Sequence, residues 1–280
     1  MGAMSSIAII GGGNIGEALI SGLLAADRDP QSIVATNRTR SRSEYLEKTY
    51  GIRTTDDNQA AADGADYIFL CVKPPQIVSL LGELSETVDQ NGSSIVVSLA
   101  SGVTTSAMED ALSAGSPVIR VMPNTPMLIG KGMSACAAGR FVTEDQMDAV
   151  SELLSAVGDV VVVAEDDMDV VSAVSGAGPA YFFLMTEALI EAGVQQGLKR
   201  DVATKLARSV AAGAGALLEG SEDEPATLRA NISSPGGVTI AALRELEESG
   251  IRGAFFRAIE ISAQRSAELG APAASTGDDQ

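Results

Sequence analysis

The chain has 280 residues, 45% hydrophobic and 20% charged, a composition typical of one large or two modest globular domains. Acidic residues outnumber basic ones 37 to 19, and the net charge of −18 argues against nucleic-acid binding, which needs a basic face. There is no histidine, which excludes histidine-based acid–base catalysis, nucleophile activation and zinc ligation.

The sequence also argues against a membrane or secreted location. No apolar run reaches the ~18 residues of a membrane span, and no basic region precedes the first apolar segment as in a secretion signal. The two cysteines, Cys71 and Cys136, form neither a metal-binding cluster nor a disulfide framework. We therefore expect a cytoplasmic protein with no metal.

Residues 1–166 alternate short apolar runs with helical patterns. The predicted strands are 5–10, 32–37, 65–72, 93–100, 117–122 and 160–164. A helix is predicted over 143–158, where Thr143 and Gln146 have the spacing of a capping box. Continuous apolar strands separated by helices indicate an α/β domain with a mostly parallel sheet covered on both faces.

Residues 167–270 have a different character, with no convincing strand. Long helices are predicted over 179–197, 202–219, 240–248 and 252–269. The second of these is rich in alanine and glycine, which permits close approach of other helices. We expect this to be a separate all-helical domain, followed by a disordered tail at 271–280.

A dinucleotide-binding motif opens the chain. Gly11, Gly13 and Gly16 follow the first strand in the G-x-G-x-x-G pattern and begin a helix, with Asn14 and Ile15 between them. The first glycine permits the tight turn, the second lets a pyrophosphate approach the backbone, and the third lets helix and strand pack closely. We predict that this turn binds a dinucleotide cofactor.

The end of the second strand predicts which dinucleotide binds. NAD sites usually carry Asp or Glu here, to bind the ribose 2′-hydroxyl. This chain instead has Asn37 followed by Arg38, Arg40 and Arg42. Guanidinium groups favour a 2′-phosphate, so NADPH is expected to be preferred while NADH remains possible.

Two further strand ends are candidates for the cofactor crevice, because carboxyl ends of strands line it in such sheets. One carries Val72, Lys73 and Pro74, and the other carries the segment with Leu99 and Ala100. The alternative for Lys73 is a surface lysine before a rigid turn.

The segment "SSPGGVT" precedes a strongly amphipathic helix. Thr239 is predicted as the N-cap of that helix, and Gly236 and Gly237 leave backbone amides with no side chain in the way. A helix start with exposed N–H groups binds anions. The alternative interpretation is an ordinary turn between helices.

Taken together, these segments closely resemble the pyrroline-5-carboxylate reductase family over residues 7–269. The resemblance rests on "IGGGNIG", "CVKP", "SLASGVT", "RVMPNTP", "SGAGPAY" and above all "NISSPGGVTIAALRELE". The run of three glycines in the first turn, with Gly12 between Gly11 and Gly13, and the cysteine before Val72 are minor departures from the family pattern.

The resemblance implies an NAD(P)H-dependent reduction of 1-pyrroline-5-carboxylate to L-proline. It also implies an N-terminal Rossmann domain and a C-terminal helical domain that interleaves with a partner subunit, with the active site where the domains meet. By position, Asn58, Lys73, Pro74 and the "SLAS" segment match cofactor contacts of the family. The predicted substrate contacts are Asn231, Ser234, Gly236, Gly237, Val238 and Thr239, and the predicted catalytic residues are Lys73, Ser234 and Thr239.

Two other classes of protein fit less well. A β-hydroxyacid dehydrogenase shares the two-domain layout but needs a catalytic lysine on the helix after residues 176–179, and the first later lysine is Lys199. A non-catalytic NADP-binding regulator would need the glycine turn but no intact "SSPGGVT" segment.

Overall fold

The computed structural model describes residues 5–270. Contacts between Cα atoms divide them into two compact units, one of residues 5–176 with 262–270 and one of residues 177–261. The domain bounds at residues 166 and 270 stay predictions, and the predicted disordered tail at 271–280 lies outside the described residues.

The first unit is built on an eight-stranded sheet. Its strands are β1 (Ile7–Ile10), β2 (Ile33–Thr36), β3 (Arg53–Thr55), β4 (Tyr67–Leu70), β5 (Ile95–Ser98), β6 (Val118–Met122), β7 (Gly132–Ala138) and β8 (Gly158–Val162). Their order is β3-β2-β1-β4-β5-β6-β7-β8, and every neighbouring pair is parallel except β6 and β7. The mostly parallel α/β sheet is confirmed.

Strand β1 shows why the strands read as continuous apolar runs. Ile7 and Ile9 pack into the core on one face of the sheet, and Ala8 and Ile10 into the core on the other. All four are at most 1% exposed. A strand covered by helices on both faces has no polar side, so its hydrophobic alternation disappears.

Strands β3 and β7 were not predicted. Strand β3 has three residues, and β7 has the sequence GMSACAA, in which no residue is β-branched. Small side chains are needed in β7 because Ala135 and Ala137 pack directly against the buried Met168. Strand propensity does not predict β7, because packing there requires small side chains.

Twelve α-helices complete the described chain. They are α1 (Asn14–Ala25), α2 (Arg40–Tyr50), α3 (Asn58–Ala62), α4 (Ile77–Asn91), α5 (Thr105–Glu109), α6 (Glu144–Ser155), α7 (Met168–Val171), α8 (Gly178–Gln195), α9 (Arg200–Glu219), α10 (Pro225–Asn231), α11 (Val238–Glu248) and α12 (Ile251–Gly270). The Thr143–Gln146 capping box is present at the start of α6. The four predicted C-terminal helices correspond to α8, α9, α11 and α12, while the short α10 was not predicted.

A π-helical turn, Ser172–Gly176, joins α7 to α8 and is held by the segment after β6. The side-chain amide of Asn124 donates to the carbonyl and the hydroxyl of Ser175, both at 3.3 Å, and its oxygen accepts from the Met133 amide at 2.9 Å. A Cβ on Gly176 would lie 2.4 Å from the Met122 methyl. Ser175 and Gly176 therefore pack on the "RVMPNTP" segment.

The second unit has apolar helices with little core of its own. Phe183 and Phe256 are 68% and 74% exposed, whereas the buried hydrophobic residues of the unit are the small Ala203 and Ala207. Residues Glu165–Gln195 form one helical run that, by length and composition alone, could cross a membrane, although the core helix of a soluble protein passes the same test. So much exposed apolar surface marks an interaction face.

Candidate active site

A cavity of about 840 Å³ lies at the carboxyl ends of β1, β2 and β4. The strand order reverses at β1 and β4, and such a switch point is where open α/β sheets bind ligands. Eight of the predicted cofactor residues line this cavity: Gly11, Gly13, Asn14, Asn37, Arg38, Asn58, Val72 and Lys73.

The remaining five predicted cofactor residues do not line the cavity. Ile15 packs on the core, and Gly16 is buried beneath the turn. Pro74 begins an exposed 3-10 turn, Pro74–Gln76. Leu99 and Ala100 are buried just beyond β5. A contact between these five residues and a cofactor stays a prediction.

The glycine turn has the geometry that its spacing predicts. Gly11 has φ +104°, and a Cβ there would lie 2.9 Å from the Cys71 carbonyl oxygen. A Cβ on Gly16 would lie 2.3 Å from the Gly11 carbonyl oxygen, so this glycine permits close packing of α1 on the turn. Gly13 has nothing within 4 Å and is the N-cap of α1 with no side-chain cap. The first amides of α1 are therefore free to bind an anion.

Gly12, the departure from the family pattern, has a packing reason. A Cβ there would lie 2.6 Å from the Asn37 side-chain oxygen and 2.6 Å from a Leu46 methyl. The Gly12 amide also donates to the Thr36 carbonyl at 2.9 Å. Gly12 is thus pressed under Asn37, and sequence reasoning missed this because both contacts are tertiary.

Asn37 offers an unused donor at the cavity. Its side-chain nitrogen is buried and has no hydrogen-bond partner among the described residues. A buried donor without a partner costs free energy, so a ligand acceptor at this point would be stabilising. An amide donor suits a phosphate or hydroxyl oxygen, as expected for NADP.

The three arginines after β2 have different partners. Arg38 lines the cavity and has no ion-pair partner among residues 5–270. Arg40 is exposed and pairs with Glu44 one turn along α2 at 2.8 Å. Arg42 points back to the glycine turn, where it pairs with Glu17 and donates to the Gly12 carbonyl at 2.7 Å. Arg38 and Arg42 thus both line the cavity, and of the two only Arg42 has an ion-pair partner among residues 5–270.

Glu17, in the first turn of α1, is surrounded by donors. The hydroxyls of Tyr45 and Tyr50 donate to it at 3.0 and 2.9 Å, beside the ion pair with Arg42. Burial acts to raise its pKa, but the hydrogen bonds from Arg42 and the two tyrosines prevail and lower that pKa. Burial, with the hydrogen bond to Glu17, raises the pKa of Tyr50 to about 12. The cluster thus holds a charged carboxylate and a neutral phenol.

The end of β4 brings a cation to the cavity. Lys73 lines it with an exposed side chain, directly before the two prolines. The neighbouring Cys71 lines it too, and burial raises the pKa of this thiol to about 12. Sequence reasoning missed Gln76 and Ser79, which also line the cavity. They could have been predicted from the sequence, because a helix that starts shortly after a strand end places its first residues at the crevice.

The "SSPGGVT" segment lies in the second unit, between α10 and α11. The amide of Gly237 donates to the Ser234 carbonyl at 3.0 Å, which closes a turn in which Gly236 has φ +69°. Asn231 ends α10, and Asn231, Ser234, Gly236 and Val238 are exposed. The predicted substrate residues thus lie within this turn or in the helix ends beside it.

The prediction of Thr239 as N-cap is wrong. Helix α11 begins at Val238, with Gly237 as a cap that carries no side-chain hydrogen bond. A Cβ at position 237 would lie 2.4 Å from the Ser234 hydroxyl, so the turn requires glycine at the cap. Thr239 is therefore the second residue of the helix, and the Gly237 amide is already bonded within the turn.

Comparison with known proteins extends these observations. A family model described as pyrroline-5-carboxylate reductase dimerisation matches residues 165–269, and one described as NADP oxidoreductase coenzyme F420-dependent matches residues 6–102. The pyrroline-5-carboxylate reductase of Corynebacterium melassecola is 57% identical over 95% of this chain and 99% of that protein.

Two solved structures are also similar. A pyrroline-5-carboxylate reductase from Coxiella burnetii has a TM-score of 0.93 and 36% identity, and the match covers 96% of this chain and 100% of that one. The Plasmodium falciparum pyrroline carboxylate reductase, solved with NADP bound, has a TM-score of 0.82 and 27% identity, with 95% and 98% covered.

Substituting Gly12→Ala tests the cavity. The added methyl has to displace Asn37 or Leu46, so we expect NADPH affinity to fall by about tenfold or more in titrations followed by fluorescence. Gly82→Ala, on an open face of α4, is the control and should leave affinity unchanged while stabilising the helix by about 1 kcal/mol. Affinity within twofold of wild type in folded Gly12→Ala would contradict this account.

Proposed function

The chain belongs to the pyrroline-5-carboxylate reductase family, and we propose that it reduces 1-pyrroline-5-carboxylate to L-proline with NADPH, the last step of proline biosynthesis. The observation that carries the proposal is the intact "SSPGGVT" turn, which leaves the start of α11 open to an anion. The glycine-lined cavity of the first unit supports the use of a dinucleotide.

For the cofactor, we propose NADPH in preference to NADH. Bound NADPH supplies the hydride for the reduction. The side chains of Arg38 and Asn37 bring donors to the end of β2, the position that carries a carboxylate in many NAD sites, and the Asn37 nitrogen has no partner among the described residues. A 2′-phosphate there would satisfy both donors and the positive charge.

For the substrate, we propose that the turn holds the carboxylate. The amides of Val238 and Thr239 lie in the first turn of α11, where helical amides have no partner within the helix. The helix dipole adds roughly 0.3–1 kcal/mol for an anion at this end. The Ser234 hydroxyl lies over Gly237 and supplies a further donor, while Asn231 marks the other side of the turn.

The chain has no histidine that could donate a proton to the substrate nitrogen. Hydride transfer to the imine carbon leaves an amine nitrogen that must carry a proton, and we propose that the substrate arrives already protonated, as the iminium ion. The protein then mainly orients the ring, and orientation alone supplies a large share of catalysis. We propose a hydrogen bond from Thr239 to the ring nitrogen. Lys73 is proposed to add positive charge at the cavity, where its ammonium has no ion-pair partner among the described residues.

The dimerisation family model and the apolar faces of α8, α9 and α12 support a homo-oligomer. We propose, more specifically, that these helices interleave with those of a partner subunit. Interleaving lets each apolar helix be covered on several sides, which its exposed residues require. We also propose a cytoplasmic location, in line with two free cysteines.

Turnover with 1-pyrroline-5-carboxylate and NADPH is the direct test of the reaction. We expect Thr239→Ala to lower kcat by about tenfold, as loss of a hydrogen bond to the reacting group would, with NADPH affinity unchanged. Ser234→Ala should instead raise KM for the substrate. Ser249→Ala, at the far end of α11, is the control and should behave as wild type. Full activity in both loop variants would show that the segment is an ordinary turn.

Cofactor choice is tested with Arg38→Ala. We expect KM for NADPH to rise by about tenfold, because a charge-assisted hydrogen bond to the 2′-phosphate is lost, while KM for NADH stays within twofold. Steady-state kinetics with each cofactor measures the ratio. Equal losses with both cofactors would rule out recognition of the 2′-phosphate by Arg38.

Subunit packing is tested with Gly215→Trp on α9. Nothing lies within 4 Å of a Cβ at this position in one subunit, so the new side chain starts in open space there, and we expect it to collide with a partner. Light scattering should show a shift toward smaller species. The same change at Gly82, which is equally open but lies in the first unit, should leave the assembly intact. An unchanged assembly in Gly215→Trp would exclude this face from the interface.

A further inference from the structure

Arg42 reaches from the first turn of α2 to the backbone of the glycine turn. Its Nε donates to the Gly12 carbonyl at 2.7 Å, and its Nη2 lies 3.4 Å from the Gly13 carbonyl oxygen. The same Nη2 forms an ion pair with Glu17, and the guanidinium stacks over the ring of Tyr45 at 5.1 Å. The side chain of Arg42 is 28% exposed, against 93% for that of Arg40.

We propose that Arg42 is a positioning residue that fixes the glycine turn for NADPH and NADH alike and does not recognise the 2′-phosphate. This rests on the proposed function for the identity of the cofactor, and it divides the arginine cluster between two tasks. Arg38 selects the cofactor, whereas Arg42 shapes the surface that receives the diphosphate common to both cofactors.

The geometry of the peptide bond explains how Arg42 does this. In a trans peptide the C=O and the following N–H point in opposite directions. When Arg42 holds the carbonyls of Gly12 and Gly13, the amides of Gly13 and Asn14 are turned away from the guanidinium. Gly13 and Asn14 line the cavity. The turn is thereby set with its donors ready for an anion before any cofactor binds.

Arg42 also balances the charge of Glu17 at the glycine turn. Glu17 sits in the first turn of α1, where its carboxylate would repel a diphosphate arriving at the same helix start. Arg42 neutralises this charge, and the hydroxyls of Tyr45 and Tyr50 occupy the other carboxylate oxygen. Without Arg42, the turn loses its support and also faces an unpaired negative charge.

Dissociation constants for NADPH and NADH, measured separately by calorimetry without substrate, test the proposal. We expect Arg42→Met to raise both constants by about tenfold or more and to leave their ratio within twofold of wild type. Lys48→Met removes an exposed cation from the same helix and should change neither constant. A rise for NADPH alone would make Arg42 a ligand of the 2′-phosphate, and no rise for either would make its role structural only. Both results would overturn the proposal.

Two further variants keep the test decisive. If Arg42→Met does not fold, Arg42→Lys retains the charge but lacks the planar fork, so both constants should still rise together. Adding Glu17→Gln to Arg42→Met should recover part of the affinity for both cofactors, and no recovery would overturn the charge-balance argument. The proposed reaction fails separately, through wild-type protein that binds either cofactor yet does not turn over 1-pyrroline-5-carboxylate.

Discussion

The constraint on which much of this protein depends is the apolar surface of residues 177–261. Their helices leave side chains such as Phe183, Phe256 and Ile261 largely exposed. The buried hydrophobic residues of this unit are two alanines, Ala203 and Ala207. The dimerisation family model over residues 165–269 supports a homo-oligomer in which a second copy covers this surface. The "SSPGGVT" turn is carried by the same unit. The proposed substrate turn is thus carried by helices whose apolar side chains one chain leaves exposed.

The two proposed anion sites share one structural feature, a helix start that follows a glycine cap. Helix α1 starts at Asn14 after Gly13, and α11 starts at Val238 after Gly237; neither cap carries a side-chain hydrogen bond. A serine or threonine cap would stabilise each helix by about 1 kcal/mol but would occupy the amides that a ligand needs. Each helix lacks this stabilisation at the position where we propose that a charged ligand binds. The two starts suit a diphosphate and a carboxylate, the anionic groups of the proposed reactants.

Much of the architecture was predictable because its signals are local. Apolar strands, the glycine spacing and the helical periodicity each act within a few residues, and the sheet, the turn and the long helices followed from them. Strand β7 was not predicted, because its small residues are required by their packing against Met168 and carry no local strand signal. Thr239 was misjudged because the turn closed by Ser234 and Gly237 moves the cap two residues back. The partner of Arg42 was equally hidden, since a long side chain shows its target only in three dimensions.

The buried thiols have a consequence for how the protein meets reactive chemicals. Burial raises the pKa of both Cys71 and Cys136 to about 12. At pH 8 only about one thiol in ten thousand would then be a thiolate, the nucleophilic form that reacts with peroxides and electrophiles. Cys71 lies at the cavity, yet we expect its thiol to react poorly with covalent inhibitors or oxidants. We therefore expect both thiols to react slowly with oxidants near neutral pH.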